Sequence, residues 1–210
     1  MATATLSFVL FTFKPASQPA PDSPPDSFST ICSPLLAAPG LISLQVGLLM
    51  EDAPTWVLLS RWESPAALDT WQESDPFDVF IEGLHTVSED VVPEQAEVAG
   101  DVTAVLSAPC VEIFYALEAE HVFLKERLPA FARGLQGEGM KGFHGLCYGK
   151  LDVGAGKESA VMLLGWDSKE AHLAQRGDGK PIDRHIHLVR EGRDRNHINL
   201  KTVGVVGSTS

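Results

Sequence analysis

Apolar positions along the chain switch between period two and period three to four, and the switches recur in the same order twice. Leu6–Phe13 is aromatic-rich and extended, which predicts a strand. Ala16–Ser27 is rich in Pro, Ser and Asp and predicts a long loop, in the position of a lid over a site or of a simple insertion. Phe28, Ile31 and Leu35 fall at helical spacing, with Pro34 limiting that helix. After Pro39-Gly40, Leu41–Met50 and Thr55–Trp62 read as a hairpin around a turn at Glu51–Pro54. Ser64 is placed to cap a helix whose first residue is Pro65, and Phe77–Leu84 forms a second short helix after Asp75-Pro76. A strand near Val102–Leu106 is expected to close the series.

The order then repeats. Cys110–Leu117 reads as a strand and Val122–Gln136 as a helix with Leu124, Leu128, Phe131 and Leu135 on one stripe. Phe143–Leu151 and Ser159–Trp166 are strands, Ser168 stands as a cap, Pro181 opens a short helix and Asn199–Val206 is a last strand. Segments match directly: Gly40–Leu49 (GLISLQVGLL) against Gly142–Leu151 (GFHGLCYGKL), and Trp56–Ser64 (WVLLSRWES) against Ala160–Ser168 (AVMLLGWDS). An offset of about a hundred residues is far longer than a solenoid repeat. The expected fold is α+β, two ferredoxin-like β-α-β-β-α-β repeats over residues 1–107 and 108–210. One such sheet has helices on one face only, so its bare face must be buried, and a second copy supplies the cover.

FVLFTFKP at Phe8–Pro15, the PGLISLQVG segment, and WESPAALDTW followed by DPFDVF resemble the dimeric α+β barrel superfamily. The resemblance is to its stress-responsive A/B-barrel and antibiotic-biosynthesis-monooxygenase-like branches, here as a tandem fused repeat. It covers the first half directly and the second half through its similarity to the first. It implies an intramolecular version of the barrel that other members build by dimerisation. It also implies cofactor-free biosynthetic chemistry on polyketide- or terpenoid-like molecules. In the plant polyketide-cyclase member a catalytic histidine lies two residues after the helix-opening proline. Here both copies carry aspartate, Asp78 and Asp183, so that histidine mechanism does not transfer.

Duplication provides an internal control, because a polar residue where the other copy is apolar calls for a reason beyond folding. Ile42, Leu44 and Val46 share a strand face, and their counterparts are His144, Leu146 and Tyr148. Phe8 aligns with Glu112, and Phe80 with His185. Unpartnered buried polar groups cost roughly 1–3 kcal/mol, so Glu112, His144, Tyr148 and His185 together predict a polar pocket in the second repeat. His144 is the expected acid/base, Tyr148 or His185 orients a substrate oxygen, and Glu112 orients a histidine. Each also has a structural reading, as a core histidine with a partner or a tyrosine reaching solvent. Trp56 and Trp71 lack aromatic counterparts and, with Phe143 and Asp183, are candidates for contacting substrate. Asp183 also fits a helix N-terminus, where a carboxylate complements the dipole.

Composition narrows the partners. A net charge of −12 argues against nucleic acid and anionic lipid. No apolar stretch approaches the ~20 residues of a membrane span. The apolar N-terminal run has no basic residue before it and no cleavage site after it, so it reads as a strand, not a signal peptide. Three scattered cysteines, Cys32, Cys110 and Cys147, form no disulfide framework and point to a reducing, cytoplasmic setting. No zinc spacing, phosphate loop or nucleophile elbow is present, and His185 and His187, two apart on a helix, face different ways. No metal or cofactor is expected, and the expected assembly is a monomer with an internal pseudo-dimer, or a homodimer. The leading expectation is a cyclase or lyase acting by positioning and proton transfer on an apolar small molecule. The alternatives are a cofactor-independent monooxygenase and a non-catalytic binding or stress-response protein.

Overall fold

A computed structural model describes residues 3–17, 24, 27–50, 55–152, 158–190 and 194–208. The elements run β1 (Thr3–Phe13), α1 (Phe28–Leu36), β2 (Leu41–Leu49), β3 (Thr55–Trp62), α2 (Pro65–Gln72), α3 (Asp75–Val87) and β4 (Ser88–Gly100). A short α4 (Val102–Leu106) joins them to β5 (Cys110–Leu117), α5 (Leu128–Gln136), β6 (Phe143–Asp152), β7 (Ser159–Trp166), α6 (Lys169–Leu173), α7 (Pro181–His185) and β8 (Asp194–Ser208). The two ferredoxin-like repeats read from the sequence are therefore present. The molecule divides into two compact units, one built on Ala4–Gln95 and the other on Ala96–Lys201.

In the first unit β3 pairs antiparallel with both β1 and β2. In the second, β7 pairs antiparallel with β5 and β6, and β8 adds to the far side of β5. Each unit has its own core. The first gathers Phe11, Phe13, Phe28, Trp56, Trp62, Trp71 and Phe80; the second gathers Phe123, Leu128, Phe131, Leu135, Met162 and Trp166.

Local chemistry repeats as closely as the topology. Ser64 Oγ accepts from the Ala67 amide at 3.2 Å, and Ser168 Oγ accepts from the Ala171 amide at 3.2 Å. Both serines hold the extended backbone of an N-cap. Gly40 and Gly142 enter β2 and β6 at φ +84° and +78°, and each carbonyl accepts from the amide of an acidic residue, Glu63 or Asp167, at 2.8 Å. A Cβ on Gly40 would meet the Ala67 Cβ at 2.6 Å, and one on Gly142 the Ala171 Cβ at 2.9 Å. Both the backbone conformation and the close approach of the following helix require glycine there.

Two expectations need correction. Val102–Leu106 is a helix, not the closing strand. Asp101 caps it by accepting from the Ala104 amide at 3.0 Å, and the closing strand is the more polar Ser88–Gly100. A short apolar run fits helix and strand equally well, and the capping aspartate decides. The helix expected at Val122–Gln136 is also not uniform. Phe123–Arg127 forms a π-turn immediately before Leu128-Pro129, because Pro129 has no amide to donate back along the helix. The Ala16–Ser27 loop begins with a 3-10 turn at Pro15–Ser17, and most of it, like the Glu51–Pro54 turn, lies outside the described residues. Among the described residues no helix is long and apolar enough to cross a membrane.

Candidate functional site

Strand register aligns the two repeats more securely than sequence does. Thr5 lies opposite Trp62 and Ser7 opposite Ser60; Cys110 lies opposite Trp166 and Glu112 opposite Leu164. Glu112 therefore occupies the place of Ser7, and the alignment with Phe8 is off by one. In a strand a one-residue slip exchanges the two faces. Glu112 points to the face its own repeat covers with helices, where it is 8% exposed.

The chemistry at Glu112 follows from a need shared by both repeats, since a buried indole N–H must find an acceptor. In the first repeat Trp62 Nε1 donates to Ser60 Oγ at 2.9 Å. The matching residue in the second repeat is Leu164, which accepts nothing. Trp166 Nε1 donates instead to Glu112 Oε2 at 3.1 Å. His172 Nε2 lies 3.5 Å from that same oxygen, and the imidazole stacks on Trp166 with centroids 5.3 Å apart. His172 is 3% exposed. Counting from the two serine caps, it takes the position of the buried Leu68. A buried carboxylate, a buried imidazole and an indole thus form one connected polar group. Sequence reading missed His172. The signal was available, since carrying the copy-against-copy comparison from the strands into the capped helices pairs it with leucine.

Beside this group lies a cavity of about 340 Å³. Phe114, Phe131, Leu135, Met162, Leu164, Ile182, Ile186 and Val189 line it, with Glu112, His172 and Arg176 as its polar wall. The same face of the first repeat, bounded by Ser7, Leu58, Ser60 and Leu68, retains only about 10 Å³. Aromatic rings fill it. Trp71 stacks on Trp62 at 6.3 Å and meets Phe77 and Phe80 at 5.9 and 6.3 Å. The second repeat has Gln175, Ile182 and His185 at those places. His185 turns away to Glu138, with Nε2 2.8 Å from Oε1. The space that three aromatic side chains occupy in one copy is left open in the other. A volume near the lower end of ligand pockets, mostly apolar with a few converging polar groups, is the usual form of a small-molecule site.

Of the four residues expected to share a pocket, only Glu112 lines this one. His144 is the extra residue of a β-bulge, because the β6–β7 register shifts between Phe143 and Gly145. The bulge breaks the alternation that placed His144 beside Leu146 and Tyr148. The side chain is 37% exposed and Nε2 lies 2.7 Å from Asp167 Oδ1. Tyr148 is partly buried against the second core, on the side of Met162. His185 and Arg184 both pair with Glu138, tying α7 down beside α5. Phe143 packs on Trp166 at 5.0 Å. Asp183 Oδ2 accepts from the Gly177 amide at 3.1 Å and so closes the loop between α6 and α7. Trp56 is core, edge-on to Phe13 at 5.6 Å, and Trp71 fills the first repeat as described. Among the described residues no group of three or more His, Cys, Asp and Glu is placed to hold a metal ion.

All three cysteines are buried thiols. Burial pushes Cys32 and Cys147 up to about 12. Cys110 rises to about 11, chiefly through burial, with Glu112 and Glu170 adding to it.

The chain thus has the fold of two ferredoxin-like repeats in tandem. Residues 23–83 match the family model for antibiotic biosynthesis monooxygenase. No curated protein sequence matches the chain. Among solved structures, an anthrone oxidase-like protein superposes with a TM-score of 0.71 at 12% identity, covering 99% of this chain and 96% of its own. A protein provisionally described as a monooxygenase from Fusobacterium nucleatum gives 0.68 at 10% identity, covering 100% and 96%. Another so described, from Lactobacillus acidophilus, gives 0.64 at 10% identity, covering 97% and 96%. At such identities the likeness is one of fold. The matched family stretch lies in the first repeat, whereas the cavity beside Glu112 and His172 lies in the second.

Proposed function

We propose that the second repeat is the site of a small-molecule enzyme. It encloses an apolar substrate and removes a proton from it with the Glu112–His172 pair. The observation that carries this reading is the coincidence of the cavity with the buried carboxylate and imidazole in one repeat, where the matching face of the other has serine, leucine and only about 10 Å³. A histidine moves protons near neutral pH, and a carboxylate on its ring orients it and stabilises the imidazolium. The two groups lie 3.5 Å apart, so the proton is assigned to the pair. Loss of a proton from an anthrone-like CH₂ or an electron-rich phenol leaves a delocalised anion that fits the aromatic and aliphatic walls.

Oxygenation of that anion is supported by the family match over residues 23–83 and by the names of the neighbours described as monooxygenases and anthrone oxidase-like. The anion passes one electron to O₂, the radical pair combines to a peroxide anion, and the proton held by the Glu112–His172 pair returns to give a hydroperoxide. Loss of water then leaves a carbonyl, so CH₂ and O₂ become C=O and H₂O. The cyclase or lyase chemistry expected from the sequence shares the first proton transfer and differs only in the fate of the anion. A place in secondary metabolism belongs to the same proposal.

Oxygen uptake with anthrone as substrate, followed alongside quinone absorbance, tests the reading. The expected result is one O₂ consumed per quinone, with His172→Leu and Glu112→Gln each slowing turnover by about 10²-fold or more. Turnover of a phenolic polyketide without oxygen uptake would move the assignment to a cyclase. Full activity in both variants would remove the pair from the mechanism.

A further inference from the structure

Among the described residues the cavity wall has one guanidinium, that of Arg176. Arg176 lines it together with the buried Glu112 and His172, yet is itself exposed, so the guanidinium stands at the solvent end and the acid/base pair at the deep end. By the cap alignment Arg176 matches Gln72, which lines the filled face of the first repeat. The cation is therefore no requirement of the fold. It appears in the copy that also opens a cavity and acquires the buried pair. Apart from Glu112 and His172, the other described residues of the wall are apolar, Phe131, Leu135 and Ile186 among them. Arg184 is committed to Glu138, whereas Arg176 forms no ion pair among the described residues. The chain carries a net charge of −12, so an anion meets an unfavourable field over the molecule as a whole and needs a local cation to be held.

Resting on the reading of this cavity as the substrate site, we infer that Arg176 selects for substrates that carry an acid group. The ligand class is an apolar, aromatic or polycyclic body ending in a carboxylate or another planar oxyanion. The acid sits at the mouth on the guanidinium fork, which matches two oxygens at once. The body fills the space between Phe114, Phe131 and Met162, and the reacting carbon lies at the far end beside Glu112 and His172. Arg176 is a positioning residue. It fixes which end of an elongated molecule enters first, and hence which carbon meets the base.

Two fluorescent probes with the same aromatic body separate charge from shape: anilinonaphthalene sulfonate and its neutral parent, phenylnaphthylamine. Both are titrated into the full-length wild-type protein and into Arg176→Gln, Arg176→Lys and Leu164→Trp. Arg176→Gln installs the residue of the first repeat at this place, so it is compatible with the fold. The expected result is that Arg176→Gln weakens the sulfonate about tenfold and the neutral probe less than twofold. Arg176→Lys keeps the sulfonate within about threefold, and added salt weakens the sulfonate alone. Equal weakening of both probes would show that Arg176 acts through its apolar stem, and no weakening of the sulfonate would show that it holds no anion. Either overturns the inference while leaving the cavity intact. Binding unchanged by Leu164→Trp, or no binding of either probe to the wild type, would overturn the cavity reading itself and this inference with it.

Discussion

Replacing His172 by leucine tests how tightly Glu112 depends on its neighbour. Their side chains are 3% and 10% exposed, and the shared contact is 3.5 Å long. At an effective dielectric of about 20 a full charge pair at that distance attracts by about 5 kcal/mol before desolvation is counted. Removing one partner of a buried pair typically costs about 3–5 kcal/mol, because the remaining charge stays buried. Leucine is the residue found at this place in the first repeat, and its burial offsets roughly 1–2 kcal/mol of that cost. The expected net loss for His172→Leu is about 2–3 kcal/mol. Glu112→Gln keeps an oxygen for Trp166 Nε1 and carries no charge, so alone it costs about 1 kcal/mol. Once the glutamine is present, leucine at 172 takes no charged neighbour from a carboxylate, and the double variant is no less stable than His172→Leu. Urea unfolding followed by tryptophan fluorescence measures the cycle, and a coupling of at least about 1 kcal/mol is expected. Thermal midpoints should fall by roughly 5–10 °C for His172→Leu, at 2–4 °C per kcal/mol for a chain of this size. Strict additivity would refute the reasoning, since it would mean that the two groups do not sense each other.

Other expectations follow from the same geometry. His144→Ala removes an exposed pair with Asp167 and should change stability by less than about 1 kcal/mol, read by urea unfolding, while leaving turnover unaltered. Gly142→Ala should cost about 1–3 kcal/mol in the same assay, since it strains a φ of +78° and drives a methyl against Ala171. The folded thiols ionise at about 11 to 12 against an ordinary 9.0, so the native state holds protons that the unfolded chain gives up. Their stabilisation is complete below pH 9 and is lost as pH rises toward 12, at up to about 1.4 kcal/mol per pH unit for each thiol. Unfolding measured across that window should show a shallower slope in Cys32→Ala. Iodoacetamide at neutral pH should label none of the three cysteines before unfolding, as read by mass spectrometry.

The duplicated architecture was legible because it rests on short-range signals. Serine caps, the glycines before β2 and β6, and runs of β-branched and aromatic residues fall at matching places in both copies. Cys110–Leu117 and Ser159–Trp166 lie where the alternation puts them. Legibility failed where one residue changes a face. The bulge at His144 and the slip that aligned Glu112 with Phe8 both turn on a single position, and hydrophobic pattern does not locate a bulge. The principle that polar exceptions in the second copy mark a site found Glu112. It was applied to the strands and the second helix pair, whereas the decisive exception, leucine to histidine at 172, lies in the first capped helix. The loss of Trp71, Phe77 and Phe80 to Gln175, Ile182 and His185 was visible in part. What it does to volume depends on where each ring stacks, which only coordinates show.

The central claim is that the second repeat holds a ligand in space that the first repeat fills with aromatic side chains. A crystal structure of the protein grown with phenylnaphthylamine tests it most directly. The account predicts probe density enclosed by Phe114, Phe131, Met162 and Leu164, within contact distance of His172. Density against the Trp71 face of the first repeat, with the second cavity collapsed around Met162 and Leu164, would contradict it.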